Sequence, residues 1–542
     1  MRWVKPSAEA EPIDRLALSG VSPYNSTMLC GLKGCRVLGL VACLLASAAS
    51  PVGGEFPREL RVGVRTIPAI PDPATALDGP TPLIGRQVFE TLVQYKDGGS
   101  DIEPALAIRW SPSKDGLTWT FTLREGVRFH DGTPLTARDV VASLERQMSP
   151  DRPLHPNPPA VWPRLFRGLP GVVKEIRAPD PKTVQIQLLL PYAPLLTVLA
   201  HPAFSAIKEG NAPWWVGTGP FRVADLAAGR IVLEANPQYW GGPPRLDRIV
   251  FLETTDEQAE ADLGGGRLDV WIPAVAPRRL EGALSIPGWQ VGLLALQTEK
   301  APFSKKKIRQ AVAAGLDPAL IAAAVERLAV PLQSFVPPGV WGRREGSPIM
   351  LADPNGARRL LVEAGVPEGF ATTLLISDAP SVIDQARLTE AVRLALSLAG
   401  ISVQARAENP EVVAQLSQFG DHVMLLTEAQ VAGGDPHLFL YPLSTSEGAT
   451  KGPGALNLSF YRNPRLDDLL IRASQLAWRP ERLRLYQRAQ AILANDLPWI
   501  PLYVRLHWAV VQPEVRNLRL HPSGFHRLDR VWIEVDPRKS TP

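Results

Sequence analysis

Small polar and large apolar residues alternate through Thr118-Trp-Thr-Phe-Thr-Leu123, which predicts a β-strand with Trp119, Phe121 and Leu123 on one face. Glu125-Gly126 is turn chemistry, Val127 to Phe129 resumes the alternation as a second short strand, and His130-Asp-Gly-Thr-Pro134 breaks it. Thr136 followed by Asp139 gives a capping-box start, with Asp in place of the usual Glu or Gln. Val140 or Val141, Leu144 and Met148 then form the apolar stripe of a helix.

The same patterns organise the rest of the chain. Leu60–Val64 reads as a strand, Ile67–Pro82 as a loop, and Val88–Val93 as helical. Pro150–Pro170 is proline-rich loop, and Thr183–Leu190 is a strand bounded by Pro191. Gly217-Thr-Gly-Pro-Phe221 is a tight backbone corner. As a dinucleotide fingerprint it fails, because the third glycine is missing and Pro220 prevents a helix from following directly. Leu293–Gln297 is a strand, and Ala301–Val312 opens an amphipathic helix. Asp353 caps and Pro354 starts a helix carrying Leu360, Leu361 and Ala364 that stops at Gly365. Pro380–Gly400 and Pro480–Asn495 are further helices, with Ile401–Arg406 a strand. This alternation from 297 to 512 implies a second α/β lobe.

Composition narrows the function. With 45% hydrophobic and 21% charged residues, the 542-residue chain has the make-up of a soluble globular protein larger than one average domain. Its net charge of +4 comes from 58 basic and 54 acidic residues that are interspersed, which gives no case for nucleic acid. The densest cluster, Lys305–Lys307, reads as a solvated helix start.

Near the N-terminus, Lys33 and Arg36 precede the short apolar run Val37–Ala49, which ends in the small-residue site Ala46-Ser-Ala48. This is the pattern of a secretory signal, too short for a span of about 20 apolar residues. Met28 is the expected start and residues 1–48 the extension and signal. Cys30, Cys35 and Cys43 all lie in that leader, so the mature chain is expected to carry no thiol or disulfide. Leu40-Val-Ala-Cys43 fits a lipobox, which keeps a lipid anchor at Cys43 as the alternative to a soluble periplasmic protein.

Catalytic chemistry is hard to find. There is no G-x-S-x-G elbow, no H-E-x-x-H, no phosphate-binding G-x-x-x-x-G-K and no cysteine nucleophile. The eight histidines form no i, i+4 pair, and His521 and His526 are expected at the surface of a Pro/Gly loop rather than on a metal. Asp467-Asp468 reads as the polar side of a helix start. The expectation is therefore no catalytic residue, no metal and no cofactor.

A resemblance adds what spacing cannot. DGLTWTFTLREGVRFHDGTPLTARDVV, from Asp115 to Val141, closely resembles the segment that marks family 5 (peptide/nickel-type) solute-binding proteins of ABC importers. Val216–Val223, Gly229–Trp240, Pro244–Phe251, Gly266–Val270 and Ala301–Val312 continue it, with Gln297 where Asn is usual.

The resemblance runs from about Leu60 to Trp532. It implies an α/β, two-lobed periplasmic binding protein of type II, cluster C-like, with an extra insert lobe. Carried over, lobe I is 57–103, 217–296 and 513–542, the insert lobe 104–216 and lobe II 297–512. Hinges are expected near 296 and 513, and solute is enclosed by closure.

The family's amine-binding motif, tryptophan–x–alanine–aspartate–tyrosine–x–aspartate–proline, corresponds here to Ala429-Gln-Val-Ala-Gly-Gly-Asp435-Pro436. The tryptophan position is Ala429 and the amine-binding aspartate position is Ala432, so an α-amine is not expected to be read in the usual way. Glu428 is either a neighbouring substitute or an exposed carboxylate. The resemblance suggests Glu428, Gln430, Val431, Ala432, Gly433 and Trp271 as pocket residues, with core packing the equal alternative for Trp271. Trp214-Trp215 are expected to pack.

The implied function is a monomeric extracytoplasmic receptor that captures a peptide, opine-like or other small solute and delivers it to membrane permease subunits. A periplasmic ligand sensor and a secreted hydrolase are the rival readings.

Overall fold

The computed structural model describes residues 58–534, apart from 70, 150, 153, 157–160, 168–170, 210–214, 347 and 431–432. The expected signal, Met28, the three cysteines, Trp214, Val431 and Ala432 lie outside the described residues.

One eleven-stranded mixed sheet runs through the molecule. Its centre is a pair of long antiparallel strands, Ala283–Leu296 and Trp499–Val511. On one side Met424–Gln430 pairs with Ala283–Leu296, followed outward by Phe370–Ser377 and Ile401–Glu408. On the other side Val270–Trp271 pairs with Trp499–Val511, followed by Glu59–Val64, Arg248–Glu253, Arg230–Ala235 and Phe221–Ala227. The two long strands are thus shared by both halves of a two-lobed α/β protein. Their burial explains the apolar run Trp499-Ile-Pro-Leu-Tyr-Val504, in which every residue is buried.

A separate four-stranded antiparallel sheet holds the alternating segment first read in the sequence. Its order is Ala107–Pro112, Thr118–Leu123, Thr183–Leu188, Val173–Asp180. Trp119, Phe121 and Leu123 are buried on its inner face, and the helix Ala137–Glu145 packs on it through Val140 and Leu144. The Asp139 carboxylate accepts from the Thr136 backbone N–H at 2.8 Å, so a shortened capping box works with Asp.

Four local expectations change. Val127 to Phe129 forms no strand: one isolated bridge, Arg128 with Pro134, replaces it, although Val127 and Phe129 stay buried. The helix expected over 88–93 instead spans Pro80–Val88, with Leu83, Ile84 and Val88 buried. Gly79 at φ 81° and Pro80 at the first turn set its start, and by Val93–Tyr95 the chain is already a strand paired with Ile102–Pro104. Third, His521 and His526 are not at the surface, being 7% and 1% exposed. Fourth, the proline-rich loop expected over 150–170 holds a short helix, Trp162–Leu165, with Pro163 in its first turn.

The Gly217–Gly219 corner has a packing role at the end of that first helix. Gly219 N–H donates to the Val88 carbonyl at 2.9 Å, and a Cβ on Gly217 would stand 2.1 Å from that oxygen. Only glycine lets the two backbones meet. The later helices follow the sequence reading, as Lys306–Gly315, Pro354–Glu363, Gln385–Leu398 and Arg479–Asp496.

Candidate functional site

Between Pro287 and Val291 the register of the two long strands shifts, with three residues opposite Arg505 alone. Beyond this bulge the pairing fixes which side chains share a face. Gln290 is paired with Gln430, and Gly292 with both Glu428 and Tyr503. Paired residues point the same way, and Arg505 lies two residues beyond Tyr503, so all six belong to one face. The alternate positions Val291 and Val504 are buried in the core.

That face carries a connected polar network. Tyr503 Oη donates to Glu428 Oε1 at 2.8 Å, and Gln290 Nε2 donates to Glu428 Oε2 at 2.8 Å. Arg505 Nη1 donates to Gln290 Oε1 at 2.8 Å and stands 3.8 Å from Glu428 Oε2. Burial and the adjacent Glu428 charge push the Tyr503 phenol far up, which keeps it a donor. Glu428 and Arg505 retain 20% and 21% side-chain exposure, so the network borders open space rather than the core.

Asp78, from the segment preceding the first helix, faces this network. It is exposed by area, yet burial is the largest influence on its carboxyl and raises its pKa; Arg505, the Gln430 side chain and Arg164 pull it back. Asp78 is thus accessible to solvent yet crowded by neighbouring protein. Arg164 comes from the short helix Trp162–Leu165. Asp78 and Arg164 are therefore brought beside the polar face of the sheet from separate parts of the chain.

Beside it lies a closely packed junction. Gly434 N–H donates to Tyr95 Oη at 3.2 Å, and Tyr95 Oη donates to the Thr197 carbonyl at 2.8 Å. The Tyr95 ring meets Trp289 edge-on at 5.3 Å, and Trp289 in turn meets His521 at 5.7 Å. A Cβ on Gly434 would fall 2.3 Å from Ser100 Cβ, and one on Gly433 2.7 Å from Leu438 Cδ1. The Trp289 indole N–H is buried with no acceptor among the described residues.

Behind the junction, Asp435 is 1% exposed and accepts from Arg482 Nη2 on both oxygens at 2.8 Å and from His437 N–H at 2.9 Å. The Asp435 of the sequence motif thus anchors the turn after 431–434.

The expected pocket residues separate accordingly. Glu428 and Gln430 stand on the polar face, and Gly433 at the junction next to it. Glu428 is neither of the sequence's alternatives in plain form: its two oxygens already serve neutral donors. Trp271 is 2% exposed and packs with Ala259, Leu263 and Leu268. Trp215 lies under the Arg146 guanidinium at 4.7 Å. Among the described residues no cluster of His, Cys, Asp or Glu has the arrangement of a metal site.

Sequence reasoning missed Asp78, Gln290, Tyr503 and Arg505. For Arg505 a signal existed, since it is the one charged residue in the strand Trp499–Val511.

The matches to known proteins agree with this architecture. The model of the bacterial extracellular solute-binding proteins, family 5, matches residues 101–451. The chain belongs to that family. Heme-binding protein A of Haemophilus influenzae is 31% identical over 493 residues, covering 83% of this chain and 87% of the relative. The dipeptide-binding protein of Escherichia coli is 29% identical over 482 residues, covering 82% and 89%.

Among solved structures, HbpA2 from Haemophilus parasuis superposes with a TM-score of 0.81 at 26% identity, covering 88% of this chain and all of that one. The periplasmic binding protein DppA from Helicobacter pylori, in complex with the peptide STSA, gives 0.67 at 26% identity, covering 88% and 98%. This family 5 protein is a solute-binding component of an ABC transporter, in a family of binding proteins rather than enzymes.

Proposed function

We propose that the protein captures a peptide or peptide-like solute in the periplasm by closing two lobes around it, and delivers it to the permease subunits of its transporter. The observation that carries this is the convergence of Gln290, Glu428, Gln430, Tyr503 and Arg505 on one sheet face, opposite Asp78 and Arg164. A recess with a few fixed polar groups between separately anchored segments suits a small polar ligand. Relatives named for dipeptides, glutathione and heme indicate the range to search.

The proposed lobes are 57–103 with 217–296 and 513–542, then 104–216 as insert and 297–512 as the second lobe. Support comes from the four-stranded sheet, which lies wholly within 104–216, and from the two long strands that run between the halves. Polar pairs that cross these divisions fit a closed state: Arg479 with Asp101 at 2.7 Å, and Arg167 Nη2 with Tyr441 Oη at 2.8 Å.

A thermal-shift screen with dialanine, glutathione, mannopine, maltose, a nickel chelate and haem tests the reading. Peptides or glutathione are expected to raise Tm, and to be recovered unchanged by mass spectrometry. A shift only with the sugar, the chelate or haem contradicts the peptide reading, and turnover of a hit would make the protein a hydrolase. Loss of peptide uptake in a deletion strain supports transport; intact uptake with a lost transcriptional response would make it a sensor.

A further inference from the structure

We propose that Arg505 is the residue that takes the carboxylate of the solute; this rests on the peptide-like reading above and names the group that the recess recognises.

The sequence placed the search for a charged anchor at Glu428, as a possible reader of a cation. The geometry argues the reverse polarity. Each Glu428 oxygen already accepts one hydrogen bond, Oε1 from the Tyr503 hydroxyl and Oε2 from the Gln290 amide, both at 2.8 Å, which fixes the carboxylate's orientation. A carboxylate used in this way is a support: it supplies negative charge and orientation to what stands beside it. What stands beside it is Arg505, at 3.8 Å.

That separation matters. A guanidinium bonded bidentately to a carboxylate uses up one edge of its planar fork. Here Glu428 compensates the charge from a distance, and among the described residues the hydrogen bond from Nη1 to Gln290 Oε1 is the one the Arg505 guanidinium makes. A guanidinium has five N–H donors, so most of its donors stay available to a ligand. Gln290 and Glu428 fix one end of the group while the rest borders the recess, where 21% of the side chain is exposed.

An arginine held in this way matches a ligand carboxylate bidentately, as a charge-assisted pair of fixed geometry. The recess is otherwise near charge balance: Arg505 and Arg164 face Glu428 and Asp78. An incoming carboxylate brings one further negative charge. Asp78, whose pKa burial has already raised, is placed to accommodate it by taking up a proton or by meeting a cationic group of the same solute.

The experiment is a titration by calorimetry of the wild-type protein, Arg505→Met and Arg505→Lys with dialanine, dialanine amide, glutathione and glutathione diethyl ester. Wild type is expected to bind the free acids at least tenfold more tightly than the amide or ester. In Arg505→Met the free acids should lose at least tenfold while the blocked forms change little, so the preference disappears. Arg505→Lys keeps the charge and the stem without the planar fork, and should show a smaller loss; it guards against a Met variant that fails to fold. An undiminished preference for free acids in Arg505→Met, or in Arg505→Lys if Met does not fold, overturns the assignment and leaves the peptide reading standing. Failure of wild type to bind any of the four overturns the peptide reading and this assignment together.

Discussion

Tyr503 reaches Glu428 by crossing over Gly292, its ring lying where a side chain on the intervening strand would otherwise stand. A Cβ on Gly292 would sit 2.0 Å from the ring. The polar wall of the recess therefore depends on an absent side chain as much as on the residues present. Gly292→Ala is expected to displace Tyr503 and to cost about 1–3 kcal/mol by overpacking. Tyr503→Phe removes only the hydroxyl and should cost about 1–3 kcal/mol through the unpaired Glu428 oxygen. Urea denaturation checks both. A neutral Gly292→Ala would mean that the ring moves aside freely and that the network is loose.

The Arg482–Asp435 pair behind the junction is the second structural claim. Its side chains are 7% and 2% exposed, and Arg482 also donates to the Ala473 carbonyl and stacks at 4.9 Å on Trp341. Removing one partner, as in Asp435→Ala or Arg482→Ala, leaves a buried charge and is expected to cost about 3–5 kcal/mol. The double variant should cost clearly less than the sum of the two. Additive costs would show that the two charges are not coupled.

Arg479 and Asp101, by contrast, are about half exposed, at 52% and 53%. A surface pair of this kind contributes about 0–1 kcal/mol to folding. If it joins two lobes, Arg479→Ala should leave the urea midpoint nearly unchanged yet expand the protein in solution. Small-angle scattering reads this as a larger radius of gyration without ligand and the same radius with it. An unchanged radius in both states would make the pair incidental to closure.

Acid should weaken the fold steeply. Burial lowers His130, His201, His507 and His521 to about 4, and lowers His422, His437 and His526 as well. A depressed histidine pKa means that the unfolded chain takes up the proton first. The stability these neutral rings contribute is present above about pH 6.5 and is lost as pH falls towards 4. Each of the four rings lowered to about 4 contributes a slope of about 1.4 kcal/mol per pH unit inside that window. Urea midpoints measured between pH 7 and pH 4.5 should fall progressively, and a flat profile would contradict the buried neutral assignment.

How far the sequence carried the account can be judged from particular residues. Thr118–Leu123 and the Thr136–Asp139 cap were legible because local period and capping chemistry decide them. The helix Pro80–Val88 was missed because its apolar residues sit among prolines, which are compatible with a first turn but read as loop. His521 and His526 looked like loop residues. Their burial comes from partners far away in sequence, among them the Gly99 carbonyl, which lies 2.7 Å from His521 Nε2. The polar wall was half legible. Glu428 and Gln430 followed from a motif, whereas Gln290, Tyr503 and Arg505 join them only through strand register across more than 200 residues of chain. No local pattern encodes that register.

The most direct test of the account is a crystal structure of the protein grown with glutathione or dialanine. The account predicts the solute enclosed against the face of Gln290, Gln430 and Arg505, with a carboxylate on the Arg505 guanidinium and Glu428 still bonded to Tyr503. A solute held elsewhere, or one in the recess that leaves Arg505 untouched while Glu428 turns to meet it, would contradict the account.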